Sequence, residues 1–173
     1  MILGVSTPTF TLVHVILSLM GIVAGLVVVF GMFGSKKLDA WTALFLATTV
    51  LTSVTGFFFP RDHILPSHIV GLISLVALPV AIFALYARRL AGPWRWIYVV
   101  AAVAALYLNV FVGVVQSFLK LQPLNALAPT QTEPPFVAVQ GVVLLLFVVL
   151  GIVALRTFHP QTDAPALRVS GVH

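Results

Sequence analysis

The chain alternates between long apolar runs and short stretches that contain most of its charged residues and prolines. A membrane-spanning helix needs about 20 predominantly apolar residues, and five runs approach or reach that length. Their predicted bounds are residues 10–33, 41–59, 65–87, 96–119 and 136–155. The pattern therefore predicts an all-α integral membrane protein, a five-transmembrane-helix bundle formed as one domain by residues 1–158. Residues 159–173 are predicted to form a polar cytoplasmic tail.

The composition favours a lipid environment. Hydrophobic residues make up 61% of the 173 residues and charged residues 8%, whereas soluble domains carry about 25% charged residues. So few charges leave too little polar surface to keep a folded chain of this size in water. A secretory signal peptide begins with basic residues, but none precedes the first apolar run. We therefore expect that run to remain as an uncleaved span.

The basic residues are distributed unevenly over the two ends of the predicted helices. Arg61 and Lys120 lie at one end and seven basic residues at the other. The seven are Lys36, Lys37, Arg88, Arg89, Arg95, Arg156 and Arg168. Because cytoplasmic loops carry the excess of Lys and Arg, the pattern predicts a periplasmic N-terminus and a cytoplasmic C-terminus. The net charge of +5 does not indicate nucleic-acid binding, since no basic stripe lies beside interleaved aromatic residues.

Small and polar residues recur at helical spacing on two of the predicted helices. On the first, the aligned residues are His14, Ser18, Gly21 and Gly25, and the GxxxG pair predicts a seam for close helix packing. On the fourth, they are Tyr98, Ala102, Ala105, Asn109, Gly113 and Gln116, which predicts that this face turns toward the bundle interior. The threonine hydroxyls of the second helix are expected to bond back to the preceding turn.

Most polar residues within the predicted spans fall in their outer half. They are His14, Ser18, Thr52, Ser53, Thr55, His68, Asn109, Gln116 and Gln140. A few polar groups that converge on a concave, mostly apolar site are typical of ligand pockets. We therefore expect a polar pocket open toward the periplasm. The expected ligand- or cofactor-binding residues are His14, His68, Asn109, Gln116 and Gln140. Simple hydration of these residues near the interface is the alternative.

His14 and His68 lie near the outer ends of two different predicted helices. Two histidines at similar depth on separate helices suit the axial ligands of a b-type haem, and neutral imidazole binds other metals as well. If haem or another metal is bound, we expect these two residues to hold it. The alternative is that both histidines are structural and form hydrogen bonds within the bundle.

The sequence contains no nucleophile elbow, phosphate-binding loop, zinc-protease motif, carboxylate pair or cysteine, and so favours a protein without catalytic activity. Three functions remain open. The first is a ligand- or cofactor-binding protein, in one version an electron-transfer protein with haem b. The second is a non-catalytic accessory subunit of a larger membrane complex, and the third is a facilitator for a small neutral solute. The expected partners are the lipid bilayer and either other membrane proteins or further copies of the chain.

The chain contains five distinctive stretches, WTALFLATTVLTSVTGFFFP, LPSH, RRLAGPWRWIYV, ALYLNVFV and ALAPTQTEPPF. Together they resemble a group of small, multi-spanning bacterial inner-membrane proteins. The resemblance covers about residues 10–158 and implies a location in the bacterial inner (plasma) membrane. It implies no activity, so no functional residue is carried over from it.

Overall fold

A computed structural model describes residues 1–2, 4–59 and 66–160, except for the side chains of residues 66–68. Residues 60–64, which connect the second and third predicted spans, residue 65 at the start of the third span, and all but residues 159–160 of the predicted tail therefore lie outside the described residues.

The described residues form six α-helices and no strand beyond an isolated bridge between Ile2 and Val5. The helices are α1 (Thr7–Phe33), α2 (Asp39–Gly56), α3 (Pro66–Ile82), α4 (Trp94–Lys120), α5 (Gln122–Leu127) and α6 (Pro134–Thr157). A π-helical turn at Phe83–Ala87 continues α3. The all-α prediction is confirmed. The short α5 occupies a segment for which the sequence predicts only a loop.

Four of these helices are long and apolar enough to cross a membrane, judged by length and composition: α1, α3 with its π-helical turn, α4 and α6. α2 falls outside this group because its 18 residues include Asp39, five threonines and a serine. The described part of the chain is therefore a helix bundle of the kind found in membrane proteins. The predicted span at residues 41–59, which corresponds to α2, therefore lacks the support that the other four predicted spans have.

Four helices form a ring. α1 and α3 each pack against both α2 and α4, whereas α6 packs outside the ring against α1 and α4. Successive long helices run in opposite directions, which gives the bundle two distinct ends. His14 and Thr55 meet at one of them, here called the histidine end. Arg95 and Phe158 meet at the other, here called the arginine end.

Close packing of α1 depends on its glycines. A Cβ atom at Gly25 would lie 2.6 Å from Leu106 Cδ1 on α4 and 2.9 Å from the Phe45 ring on α2. Interiors are packed too densely to absorb such overlap without displacing a neighbour. Glycine therefore allows α1 to approach both helices at once, and the predicted packing seam is confirmed.

The interior face of α4 is the one that the sequence predicts. Tyr98, Ala102, Ala105 and Asn109 are all buried, and they are spaced by three or four residues, so they share a helix face. Toward the arginine end, apolar side chains such as Phe45 fill the ring. Toward the histidine end the same face of α4 continues with Gly113 and Gln116, which line a cavity.

Hydrogen bonds tie three helices together at the arginine end. The Arg95 guanidinium donates from one Nη atom to the carbonyl oxygens of Leu155 at 3.2 Å and Phe158 at 2.5 Å. These carbonyls belong to the last turn of α6, where the helix itself supplies no donor and a cation is favoured by the helix dipole. Thr157 Oγ1 also donates to the Met32 carbonyl at the end of α1. The arginine end is thus fixed by specific polar contacts.

Candidate functional site

A cavity of about 590 Å³ lies inside the ring at the histidine end. This volume falls within the range of about 300–1,000 Å³ that is usual for small-molecule sites. All four ring helices contribute to its wall. The polar lining side chains include His14, Ser18, Thr49, Thr52, Asn109 and Gln116. The rest of the wall is mostly apolar, so the cavity has the mixed character of a ligand pocket.

Three of the five predicted site residues, His14, Asn109 and Gln116, line this cavity. Gln140 does not, because α6 packs outside the ring. Its Nε2 donates to the Phe111 carbonyl oxygen at 3.2 Å, and its Oε1 is buried with no hydrogen-bond partner among the described atoms. His68 belongs to the first turn of α3, and its side chain lies outside the described residues. The predicted pairing of His14 with His68 is therefore left as a prediction.

The imidazole of His14 is oriented by α2. Its Nδ1 lies 2.8 Å from Thr55 Oγ1, and that hydroxyl donates to the Leu51 carbonyl at 2.7 Å. Nδ1 and the Thr55 hydroxyl therefore share a hydrogen bond that fixes the plane of the imidazole. The Phe59 ring meets the imidazole edge-on, with 5.2 Å between the centroids. Neighbours on and just after α2 therefore set the position of the ring.

Asn109 links α4 to α1 at the floor of the cavity, where it is 7% exposed. Ser18 Oγ donates to its Oδ1 at 2.9 Å. Its Nδ2 donates to the Ser18 carbonyl at 3.4 Å, a long distance for an N–H···O hydrogen bond. The acceptor of this amide is well satisfied, whereas its donor is held only weakly.

Four of the five threonines of α2 fall into two groups. The hydroxyls of Thr48 and Thr55 donate to carbonyls of the preceding turn, Thr48 to Leu44 at 2.7 Å. The hydroxyls of Thr49 and Thr52 are buried and have no hydrogen-bond partner among the described atoms. The expectation that the threonines bond back is therefore correct for the first pair and wrong for the second. The second pair, Thr49 and Thr52, lines the cavity. These two residues are three positions apart, which places both on one face of α2, and this spacing is the sequence signal that could have identified them.

Gly21 allows these polar groups to converge. A Cβ atom there would lie 3.0 Å from Asn109 Nδ2, 3.0 Å from Thr49 Oγ1 and 3.2 Å from Thr48 Oγ1. Side chains from α2 and α4 thus approach the backbone of α1 at a single position, immediately below the cavity. Two of the three are donors that the protein leaves weakly bonded or unbonded.

Charge is scarce around the cavity. Among its described lining residues, Lys120 is the one with a permanent charge, and it is exposed at the end of α4. Glu133, the N-cap residue of α6, lies outside the lining. Desolvation tends to raise the pKa of Glu133, but hydrogen bonds from the Thr130 hydroxyl and from backbone amides outweigh it and hold the pKa below its usual value. The described residues contain no cluster of three or more His, Cys, Asp or Glu side chains that could hold a metal ion.

Comparisons of the chain with protein-family models, with curated proteins and with solved structures find no match. The function is accordingly inferred from the geometry of the cavity.

Proposed function

We propose that this protein is a small integral membrane protein that binds a ligand in the cavity at the histidine end. The observation that carries the proposal is a pair of cavity-lining residues, Thr49 and Thr52, whose hydroxyls are buried and have no hydrogen-bond partner among the described atoms. Inside a membrane there is no bulk water to satisfy such groups, and leaving a hydroxyl unbonded costs about 1–3 kcal/mol. A ligand that accepts their hydrogen bonds offsets this cost.

The proposal includes α2 as a fifth membrane span. Its 18 residues rise about 27 Å as an α-helix, close to the roughly 30 Å of a bilayer's hydrocarbon core. α2 also pairs with α1 along its length, from Phe45 beside Gly25 to Thr55 beside His14. A helix that accompanies a spanning helix in this way lies at the same membrane depth.

The histidine end is proposed to face the periplasm, with the N-terminus outside and the C-terminus in the cytoplasm. Among the described residues, six basic side chains lie at or beyond the arginine end of the long helices and Lys120 lies at the histidine end. The six are Lys36, Lys37, Arg88, Arg89, Arg95 and Arg156. The excess of Lys and Arg marks the cytoplasmic side. The resemblance of the sequence to bacterial inner-membrane proteins supports a location in the bacterial inner membrane.

A haem b electron-transfer site is a second version of this proposal, favoured by the fixed orientation of His14. Because Nδ1 is hydrogen-bonded to Thr55, His14 would ligate iron through Nε2 in this version, with Nδ1 as the donor to Thr55. A hydrogen bond from the other ring nitrogen is the usual support for a metal-bound histidine. In this version His68 supplies the second ligand. A bound haem would supply one-electron redox chemistry.

The first experiment is to purify the full chain in a mild detergent and to analyse what it carries. Mass spectrometry of the intact complex and of its organic extract is expected to reveal a stoichiometric small molecule. UV–visible spectra of the oxidised and dithionite-reduced protein test the haem version, which predicts sharp reduced α and β bands.

Two variants make this experiment specific. Replacing Thr49 and Thr52 together with Val is expected to remove the ligand, because Val preserves the shape of Thr and deletes the donors. Thr48→Val is the matched control, because the Thr48 hydroxyl bonds to its own helix and Thr48 does not line the cavity. Equal retention of ligand in both variants contradicts the proposed site. An empty cavity together with a stoichiometric protein partner would instead favour the accessory-subunit function.

A further inference from the structure

We infer that the cavity takes a lipid: a long-chain amphipath with an uncharged head that carries a carbonyl oxygen, admitted sideways from the bilayer between α1 and α4. This inference rests on the proposed function and specifies its ligand. It follows from three features of the cavity: the chemistry of its floor, the distribution of charge, and the position of its apolar opening.

The floor of the cavity holds hydrogen-bond donors that lack acceptors among the described atoms. The hydroxyls of Thr49 and Thr52 have no acceptor among the described atoms. The Asn109 amide donates only over 3.4 Å, while its own oxygen already accepts from Ser18. A ligand oxygen that accepts without needing to donate, as an ester, amide or quinone carbonyl does, matches this floor.

The distribution of charge favours an uncharged head. Lys120, the permanently charged residue of the described lining, is eleven residues along α4 from Asn109. That separation is about 16 Å along a helix, too far for the ammonium to contact a head group at the floor. An ionised head placed among hydroxyls and an amide at this depth would be buried without contact to a permanently charged side chain of the described lining, which is strongly unfavourable.

The side of the cavity between α1 and α4 is open and apolar. Val15 and Leu19 line the cavity and are also 41% and 57% exposed. Across from them, α4 presents Gly113, where a Cβ atom would meet only Ile22 Cδ1 at 3.7 Å. Among the described lining residues none comes from α6, although α6 packs on this side of the ring. The two ring helices are therefore less tightly closed here than at Gly25.

This opening lies at the depth of the hydrocarbon core. Leu19 is twelve residues from the first residue of α1, or about 18 Å along the helix. An apolar opening at that depth admits acyl or prenyl chains and excludes water-soluble molecules. The chain of the ligand is then expected to leave through the gap beside Leu19 and Gly113, with its head held at Thr49, Thr52 and Asn109.

The test uses the full chain reconstituted in vesicles of phosphatidylethanolamine and phosphatidylglycerol that contain a photoactivatable monoacylglycerol. We expect saturable labelling of α1 and α4 peptides. Gly113→Leu fills the gap and is expected to lower labelling about tenfold, the ratio that corresponds to about 1.4 kcal/mol. Gly141→Leu is the matched control, because Gly141 lies on α6 with nothing within 4 Å of an added Cβ. Leu19→Trp, at an exposed position, narrows the same gap and tests the route independently in case the Gly113 variant does not fold.

Two unlabelled competitors test the ligand class. A long-chain monoacylglycerol is expected to compete, whereas monobutyrin, its short water-soluble analogue, and the long-chain fatty acid, ionised at neutral pH, are not. Effective competition by monobutyrin or by the fatty acid overturns the lipid or the uncharged-head assignment, respectively.

The variants also separate this inference from the proposed function. If labelling survives Gly113→Leu and Leu19→Trp but falls in the Thr49→Val, Thr52→Val double variant, the lateral route is wrong and the binding site stands. If all of these variants are labelled like the Gly141→Leu control, both the route and the site are wrong.

Discussion

Replacing Thr49 with Val should stabilise the ligand-free protein, the reverse of what most substitutions of buried residues do. Thr49 is 1% exposed, and its hydroxyl has no hydrogen-bond partner among the described atoms. Valine removes the unpaired donor and keeps the branched shape. Mutational data place the penalty for an unbonded buried hydroxyl at about 1–3 kcal/mol. Membrane proteins fall at the low end of such scales, so we expect an increase of about 1 kcal/mol in the free energy of unfolding.

Thr48→Val provides a comparison of opposite sign. Its hydroxyl donates to Leu44 at 2.7 Å and approaches the Phe45 carbonyl at 3.2 Å, and hydrogen bonds of this kind contribute about 0.5–1.5 kcal/mol net. The two threonines are neighbours on one helix and both are buried. Differences in helix propensity between Thr and Val therefore cancel in the comparison. The difference between the two variants reports the state of the two hydroxyls.

The assay is reversible unfolding of delipidated protein in mixed micelles as the fraction of denaturing detergent rises. We expect Thr49→Val to unfold at a higher detergent fraction than the parent and Thr48→Val at a lower one. A ligand that binds only the folded state stabilises the protein more when its affinity is higher. Because Thr49→Val is expected to bind the ligand more weakly, excess ligand should stabilise the parent more and reverse the order of the two proteins. A Thr49→Val protein that is destabilised as much as Thr48→Val would show that the Thr49 hydroxyl has a protein partner, and the reasoning would fail.

Three further predictions concern packing, the arginine end and topology. Gly25→Val should lower the free energy of unfolding by about 1–3 kcal/mol through overpacking, whereas Gly141→Val on open surface should leave it nearly unchanged; equal effects in micelle unfolding would contradict the packing seam. Arg95→Gln should cost about 1–3 kcal/mol because it removes the charged donor from the last carbonyls of α6, and Arg95→Lys should recover part of the loss. Since the chain has no cysteine, single Lys36→Cys and Thr132→Cys variants report topology directly: an impermeant maleimide added to intact cells should label position 132 and reach position 36 only after permeabilisation. The opposite pattern would invert the proposed orientation.

Helix formation and the faces of individual helices were readable from the sequence. Uninterrupted apolar runs leave few ways to satisfy backbone hydrogen bonds in lipid other than an α-helix, so the long helices follow from composition alone. The fixed spacing of 3.6 residues per turn also places Tyr98, Ala102, Ala105 and Asn109 on one face, and these four are buried. Gly21 and Gly25 predicted close packing, because a helix without side chains at two successive turns allows a neighbouring helix to approach its backbone.

Only the tertiary structure decided which of these faces meet and which polar groups remain unpaired. Gln140 satisfies the same rules of depth and polarity as Gln116, yet α6 packs outside the ring and its amide bonds to Phe111. Thr48 and Thr49 are adjacent threonines, but the Thr48 hydroxyl bonds to its own helix, while the Thr49 hydroxyl is buried without a partner among the described atoms. Periodicity determines directions within one helix. The choice of neighbours depends on how all the helices fill space together, and that choice decides whether a buried hydroxyl has an acceptor or leaves one to be supplied by a ligand.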